Sequence, residues 1–495
     1  MNQKSCKRLL LAAPRSGSGK TTITCALLQA LLDRGLDPAG FKCGPDYIDP
    51  MFHKQVLGIE SRNLDSFFAG AEGIRETLSG CPKEYAVIEG VMGLYDGTDV
   101  KSTAGSAYEI AALTQTPIIL IMDASGIGRS VISLIKGVLA DDDKGLIRGL
   151  ILNRISKGFY EKLRPVLEEE IGVLRADVTL LGYMPKQADI ALPARHLGLL
   201  LPTEIADIRE RIRSAAACLK EGADLDALLR IMEEAPLLGR DQKTEDRSRE
   251  GKDRAGVGAG TGEGIGEDVG EDTGEGSGKT LTLAVARDEA FCFYYPENLE
   301  LFAKKGVRIR CFSPLRDEAL PKEADGILLG GGYPELYLKE LCQNKSMRRS
   351  IREAIEQGIP SLAECGGFMY LHSTITDKEG KAYEMVGAVD GDCSFAGHLV
   401  RFGYLQIESV GSGQEKNPLL ESMIGMRGHE FHYYESTDSG NALVAAKPDH
   451  SGQRPCIIAA KNGVWGYPHF YYPSDPAFAA CFIKRMKEVF DGKQQ

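Results

Sequence analysis

Two short stretches of this 495-residue chain carry residue types that do chemistry. Ser16-Gly17-Ser18-Gly19-Lys20-Thr21-Thr22-Ile23 follows the apolar run from Leu9 to Ala12. A strand, a glycine-rich turn and a helix start in that order make a cradle for nucleotide phosphates, with backbone N–H groups aimed at the oxygens. Gly17 and Gly19 allow the close approach, Lys20 meets the β- and γ-phosphates, and the Thr21 hydroxyl reaches Mg²⁺, with Thr22 beside it. Pro14 stands where the usual pattern has its first glycine. Far downstream, Leu362-Ala363-Glu364-Cys365-Gly366-Gly367 places a thiol between small residues, as a tight strand-to-helix elbow requires. Gly366 would lend its N–H to an oxyanion, and the turn Gly330-Gly331-Gly332 could supply the second donor from Gly332. An ATP-driven reaction fed by thioester chemistry fits both.

The thiol needs a base. His432, in Gly428-His429-Glu430-Phe431-His432, and His469, in Gly466-Tyr467-Pro468-His469, are the two late candidates, and His469 is favoured because it follows the apolar run 463–465. An imidazolium next to the thiol would lower its pKa from about 8.5. Carboxylates follow the early strands: Asp46 and Asp49 after residues 38–43, Glu89 and Asp96 after residues 85–89. In an open parallel sheet ligands bind beyond the carboxyl ends of strands, so Asp46, Glu89 and Asp96 should crowd Lys20 and offer oxygen to Mg²⁺. Asp49, before Pro50, reads instead as a turn or cap residue.

Elements that could position these groups alternate along the chain. Short apolar strands at 8–13, 38–43, 85–89, 117–123, 149–153 and 180–184, with a helix at 20–34, predict a parallel sheet covered on both faces. This P-loop unit spans residues 1–240. Residues 241–279 change composition: Gly251 to Gly278 holds eleven glycines among acidic and small polar residues, which reads as a flexible linker. A second α/β unit occupies residues 280–495. Its strands are expected at 280–286, 307–312, 326–329 and 361–363, and its helices at 296–305, 335–358 and 476–490.

Composition bounds the function. A net charge of −11 argues against nucleic acid or an anionic membrane as the main partner. No apolar run reaches bilayer length, and residues 1–8 lack the pattern of a signal peptide. Twelve cysteines without a C-x-x-C pair read as reduced thiols of a cytoplasmic protein.

Taken together, residues 13–22, 42–50, 87–97, 192–199 and 428–432 resemble the cobyrinic acid a,c-diamide synthase family. The likeness covers the chain outside 241–279. The first unit is similar to dethiobiotin synthetase and the second to class I glutamine amidotransferases. The resemblance implies that Cys365 attacks the amide of glutamine and releases ammonia, with His469 as base and acid. It implies that ATP, with Mg²⁺, phosphorylates an acetate carboxylate of a corrinoid or related tetrapyrrole, and that ammonia displaces the phosphate. Lys20, Thr21, Asp46 and Glu89 would then hold nucleotide and metal, with Lys42 and Asp96 on the phosphate and substrate side. Asn153 would read adenine, and Arg195 and His196 would meet corrin carboxylates. Ordinary amidotransferases carry His-x-Glu; here Tyr471 stands two residues after His469, so the orienting group is not evident. Cobyric acid synthase, which amidates other side chains, is a rival of the same class, and residues 42–50 and 428–432 favour the a,c-diamide enzyme over it; nickel-sirohydrochlorin a,c-diamide synthase uses very similar motifs. A partition-type ATPase switch is the alternative of another class, with Arg15 in place of that group's second lysine.

Overall fold

A computed structural model describes residues 6–187, 190, 202–238, 280–411, 417–449 and 451–494. These form two compact units, one on each side of residues 239–279. The expected linker at 241–279 lies outside the described residues, as do Arg195 and His196.

The first unit is built on seven parallel strands: β1 (Lys7–Ala12), β2 (Pro38–Cys43), β3 (Ser61–Leu64), β4 (Tyr85–Glu89), β5 (Ile118–Asp123), β6 (Ile147–Asn153) and β7 (Thr179–Met184). Their order across the sheet is β3-β2-β4-β1-β5-β6-β7. Side chains alternate across a strand, and here both faces are apolar. Leu10 and Ala12 of β1 join one core with Ile118, Leu120 and Met122 of β5. Leu9 and Leu11 join the opposite core with Ile119 and Ile121. Burying each such side chain contributes about 1.5–3 kcal/mol, so helices must cover both faces. Helix α1 (Lys20–Asp33) covers the second face through Ile23, Ala26, Leu27, Ala30 and Leu31.

Strand β3 is absent from the expected pattern. Its sequence, Ser-Arg-Asn-Leu, is polar and only partly buried because it pairs on one side alone, with β2. At a sheet edge backbone pairing decides, and apolar content does not announce the strand.

The second unit carries a six-stranded sheet. Its order is Arg308–Phe312, Thr282–Ala286, Gly326–Leu329, Ser361–Glu364, Gly463–Gly466 and Ile458–Ala459. All neighbours are parallel except the last pair. An antiparallel sheet of five strands includes Arg401–Val410, Arg427–His432 and His469–Phe470. The expected helix over 335–358 is instead two helices, Leu338–Gln343 and Lys345–Glu356. Asn344 interrupts it: its side chain accepts from Met347 N at 3.3 Å and so starts a new helix. The last helix runs Pro476–Gln494, beyond the expected 490.

Candidate active sites

The phosphate loop joins β1 to α1. Gly17 has φ 76° and Gly19 has φ 92°, a left-handed backbone that favours glycine. Space adds a second constraint at Gly19, where a Cβ would come 2.2 Å from Asn153 Nδ2. Asn153 ends β6, and its amide donates to Ser18 O at 2.8 Å. The side chain named as an adenine reader therefore braces the loop in this state. Thr22 lies partly exposed in the first turn of α1.

Lys20 is folded back onto the protein, donating to Arg15 O at 3.2 Å and to Met92 O. Burial, and then the neighbouring Lys42 charge, push its pKa down to about 8. Met92 has φ 48°, a strained backbone beside this contact. Asp96 is exposed and accepts from Gly93 N at 2.9 Å, with its charge felt at Lys20.

Behind the loop lies a buried charge cluster. Thr21 Oγ1 donates to Glu89 Oε1 at 2.5 Å, and Lys42 Nζ lies 2.9 Å from the same oxygen. Lys42 Nζ is also 2.8 Å from Asp49 Oδ2. Burial opposes the Lys42 charge, but Glu89 and Asp49 outweigh it and hold its pKa above the usual lysine range. Burial raises the Glu89 carboxyl, and it raises Asp46, with Asp49 as the second cause. Asp46, and not Asp49, takes the capping role. Asp46 Oδ1 accepts from the N–H groups of Ile48 and Asp49 at 2.8 and 3.1 Å, so it caps the short helix Ile48–Phe52. Asp49 is the counter-charge for Lys42. Sequence reading missed this because Asp-Pro is so often a turn; only the chain path brings Asp49 back to β2.

The residues present fit Mg²⁺. Glu89 Oε2 is buried without a hydrogen-bond partner, next to the Thr21 hydroxyl that Glu89 Oε1 already engages. Mg²⁺ takes one or two such protein oxygens together with substrate phosphates. No group of three or more His, Cys, Asp or Glu side chains suited to a metal occurs among the described residues.

Arg15 reaches the end of β5, 3.4 Å from Asp123 Oδ2, and Arg154 lies 2.9 Å from that oxygen. Neither Asp123 nor Arg154 was foreseen. Both sit at carboxyl ends of strands, where an open sheet binds ligands.

In the second unit, Cys365 follows the strand Ser361–Glu364 with φ 46° and ψ −105°, a strained elbow before the helix Gly366–Leu371. Its N–H bonds Gly466 O at 2.8 Å, tying it to the neighbouring strand that leads to His469. A Cβ on Gly366 would stand 3.1 Å from Gly332 N, so the two expected oxyanion donors come together. Gly332 has φ 155° and is packed against Ala290 O, which excludes any side chain. A Cβ on Gly331 would come within 2.2 Å of His469 Cε1, so His469 lies against the same glycine turn.

The structure changes the electrostatics expected of the pair. Burial raises the Cys365 thiol, with Glu335 and Glu430 adding to it. Burial, then His429 and His432, push His469 well below the usual histidine value. Thiol and imidazole therefore rest neutral, not as a thiolate–imidazolium pair. His432 is placed otherwise: its Nδ1 bonds Tyr434 O at 2.7 Å and its ring stacks on Tyr467 at 3.8 Å. Glu364 is the residue that sequence reading passed over. Its Oε2 is 3.9 Å from His469 Nδ1, and its Oε1 accepts from Tyr472 OH at 2.7 Å. The signal was a carboxylate ending a buried strand.

Known families match both units. Residues 9–200 match the CobQ/CobB/MinD/ParA nucleotide binding domain, and residues 282–476 match the CobB/CobQ-like glutamine amidotransferase domain. The cobyrinate a,c-diamide synthase of Listeria innocua serovar 6a is 37% identical over 483 residues, which is 95% of this chain and 97% of that one. The chain belongs to the cobyrinate a,c-diamide synthase family. The Clostridium acetobutylicum member is 35% identical over 94% of this chain and 97% of its own. The member from Caldanaerobacter subterraneus subsp. tengcongensis is 34% identical over 94% and 95%. The family likeness read from the motifs is borne out over both units. No helix of the described residues is long and apolar enough to cross a membrane.

Proposed function

We propose that this chain amidates the a- and c-acetate carboxylates of cobyrinic acid, using ATP and ammonia taken from glutamine. The single observation that carries this reading is the presence, in one chain of this family, of both a phosphate loop backed by Glu89 and a strained Cys365 elbow with His469.

In the second unit, His469 accepts the thiol proton as Cys365 sulfur bonds to the amide carbon of glutamine. The N–H groups of Gly332 and Gly366 meet the developing oxyanion. His469 returns the proton to the departing nitrogen, ammonia leaves, and water then hydrolyses the thioester to glutamate. In the first unit, Lys20 and the loop N–H groups hold the triphosphate. Thr21 and Glu89 would hold Mg²⁺, which draws charge from the phosphate oxygens, with Asp46 capping the adjoining helix. The substrate carboxylate takes the γ-phosphoryl group and ADP leaves. Ammonia then attacks the acyl carbon and phosphate departs. Lys42, fixed by Asp49 and Glu89, and Asp96 serve the phosphate and substrate side. Arg195 and His196 are proposed contacts for corrin carboxylates.

The test is product mass after incubation with ATP, Mg²⁺, glutamine and one of cobyrinic acid, hydrogenobyrinic acid or nickel-sirohydrochlorin. Two amide-for-hydroxyl exchanges on cobyrinic acid are expected. Turnover of the nickel substrate alone would overturn the reading.

A further inference from the structure

We propose that Glu364 is the positioning residue for His469, supplying from the position before the nucleophile the carboxylate that the position two after the histidine lacks. This rests on the reading of Cys365 and His469 as a glutamine-hydrolysing pair.

The geometry is specific. Glu364 closes the strand Ser361–Glu364, on the face shared with Leu362, while Ala363 faces the other core. Its carboxyl is buried and fixed at one oxygen: Oε1 accepts from Tyr472 OH at 2.7 Å and from Phe470 N at 3.5 Å. Tyr472 is held in turn, because Asn298 accepts from Tyr472 N at 2.8 Å and donates to Phe470 O at 2.8 Å. The free end of the carboxyl, Oε2, faces His469 Nδ1 at 3.9 Å. Such contacts are often loose before substrate binds, and a shift of about 1 Å makes this one a hydrogen bond.

The other residues around the pair make different contacts. His429 stacks on its ring face, 5.0 Å between centroids and 17° from parallel, and its own Nδ1 meets Tyr295 OH at 3.3 Å. Tyr471 packs its ring edge-on against Tyr295 at 5.7 Å. His432 stacks on Tyr467. Glu364 alone among these presents a carboxylate to a ring nitrogen. With Nδ1–H donated to Glu364, Nε2 is left without a proton and can accept the one from Cys365; the carboxylate then faces the imidazolium that forms.

Ionisation follows from the same enclosure. Burial pushes the Glu364 carboxyl up to about 8. The titratable groups around the pair are Cys365, Tyr472, His429 and His432, with Glu335 and Glu430 acting on Cys365. His469 stays neutral in this range, so glutaminase activity should rise with pH as Glu364 loses its proton.

The experiment measures glutamine hydrolysis and ammonia-dependent amidation in full-length Glu364→Gln, Glu364→Asp and Tyr472→Phe. Glu364→Gln should lower glutaminase kcat about 100-fold, leave KM for glutamine within about threefold and remove the rise toward pH 8. Glu364→Asp should recover at least about tenfold of that loss, and Tyr472→Phe should cost about tenfold. Ammonia-dependent amidation should not change in any of them. A Glu364→Gln enzyme with kcat near normal, or with the alkaline rise intact, overturns the proposal. If Glu364→Gln does not fold, Tyr472→Phe decides: an unchanged kcat and pH profile overturns it. A wild-type chain that does not hydrolyse glutamine at all would instead overturn the functional reading on which this rests.

Discussion

The Thr21 hydroxyl donates to Glu89 Oε1 at 2.5 Å, tying the first turn of the phosphate-loop helix to the end of β4. The same oxygen holds Lys42, and Lys42 holds Asp49. One carboxylate thus joins the loop, the β2 end and the following helix before any nucleotide arrives.

Asp49 should prove structural and functional together. Removing one partner of a buried ion pair costs about 3–5 kcal/mol, and Lys42 keeps Glu89, so the lower figure applies to Asp49→Asn. That corresponds to a Tm lower by about 6–12 °C. Calorimetry of the variant checks it; an unchanged Tm would mean the pair contributes nothing net.

Cys365 separates the two half-reactions. Cys365→Ala should abolish glutamine-dependent amidation and leave synthesis from added ammonia intact, since the thiol only frees ammonia. Equal loss with both donors would contradict this. The elbow adds a stability signature: at φ 46° a glycine is less strained than an alanine, so Cys365→Gly should be more stable than Cys365→Ala by about 1 kcal/mol.

Lys20 predicts a pH dependence of nucleotide binding. Its pKa in the free protein is lowered to about 8, by burial first and Lys42 second. Below that pH it is already charged and binding takes up no proton there. Above it, the free protein has lost the proton and must regain it to meet the triphosphate. ATP affinity should therefore fall above about pH 8, by at most about tenfold per pH unit, with proton uptake visible by calorimetry in two buffers. Constant affinity from about pH 7 to about pH 9 would refute this.

Asn153 admits a direct comparison of nucleotides. As a brace on Ser18 O, its replacement by alanine should weaken ATP and GTP alike, by about tenfold, a loss near 1.4 kcal/mol for one buried hydrogen bond. A loss confined to ATP would show instead that the amide reads the base.

The amino-acid sequence by itself determined most strands of the two parallel sheets and the chemistry-bearing motifs, but not the five-stranded antiparallel sheet of the second unit. Apolar strands such as β1 and β5 are legible because both faces are buried, so nearly every residue is apolar. The glycines around Lys20 and Cys365 are legible because close backbone approach excludes a side chain whatever the surroundings. Edge strand β3 and the break at Asn344 were not, because pairing on one side and a local cap decide them. The partners of the site were also decided by tertiary structure alone. Asp49 meets Lys42 because the chain turns from β2 straight into the next helix, and Arg15 meets Asp123 and Glu364 faces His469 only once distant segments converge. The neutral resting state of Cys365 and His469 comes from the same convergence, because burial, which no motif encodes, penalises both charges.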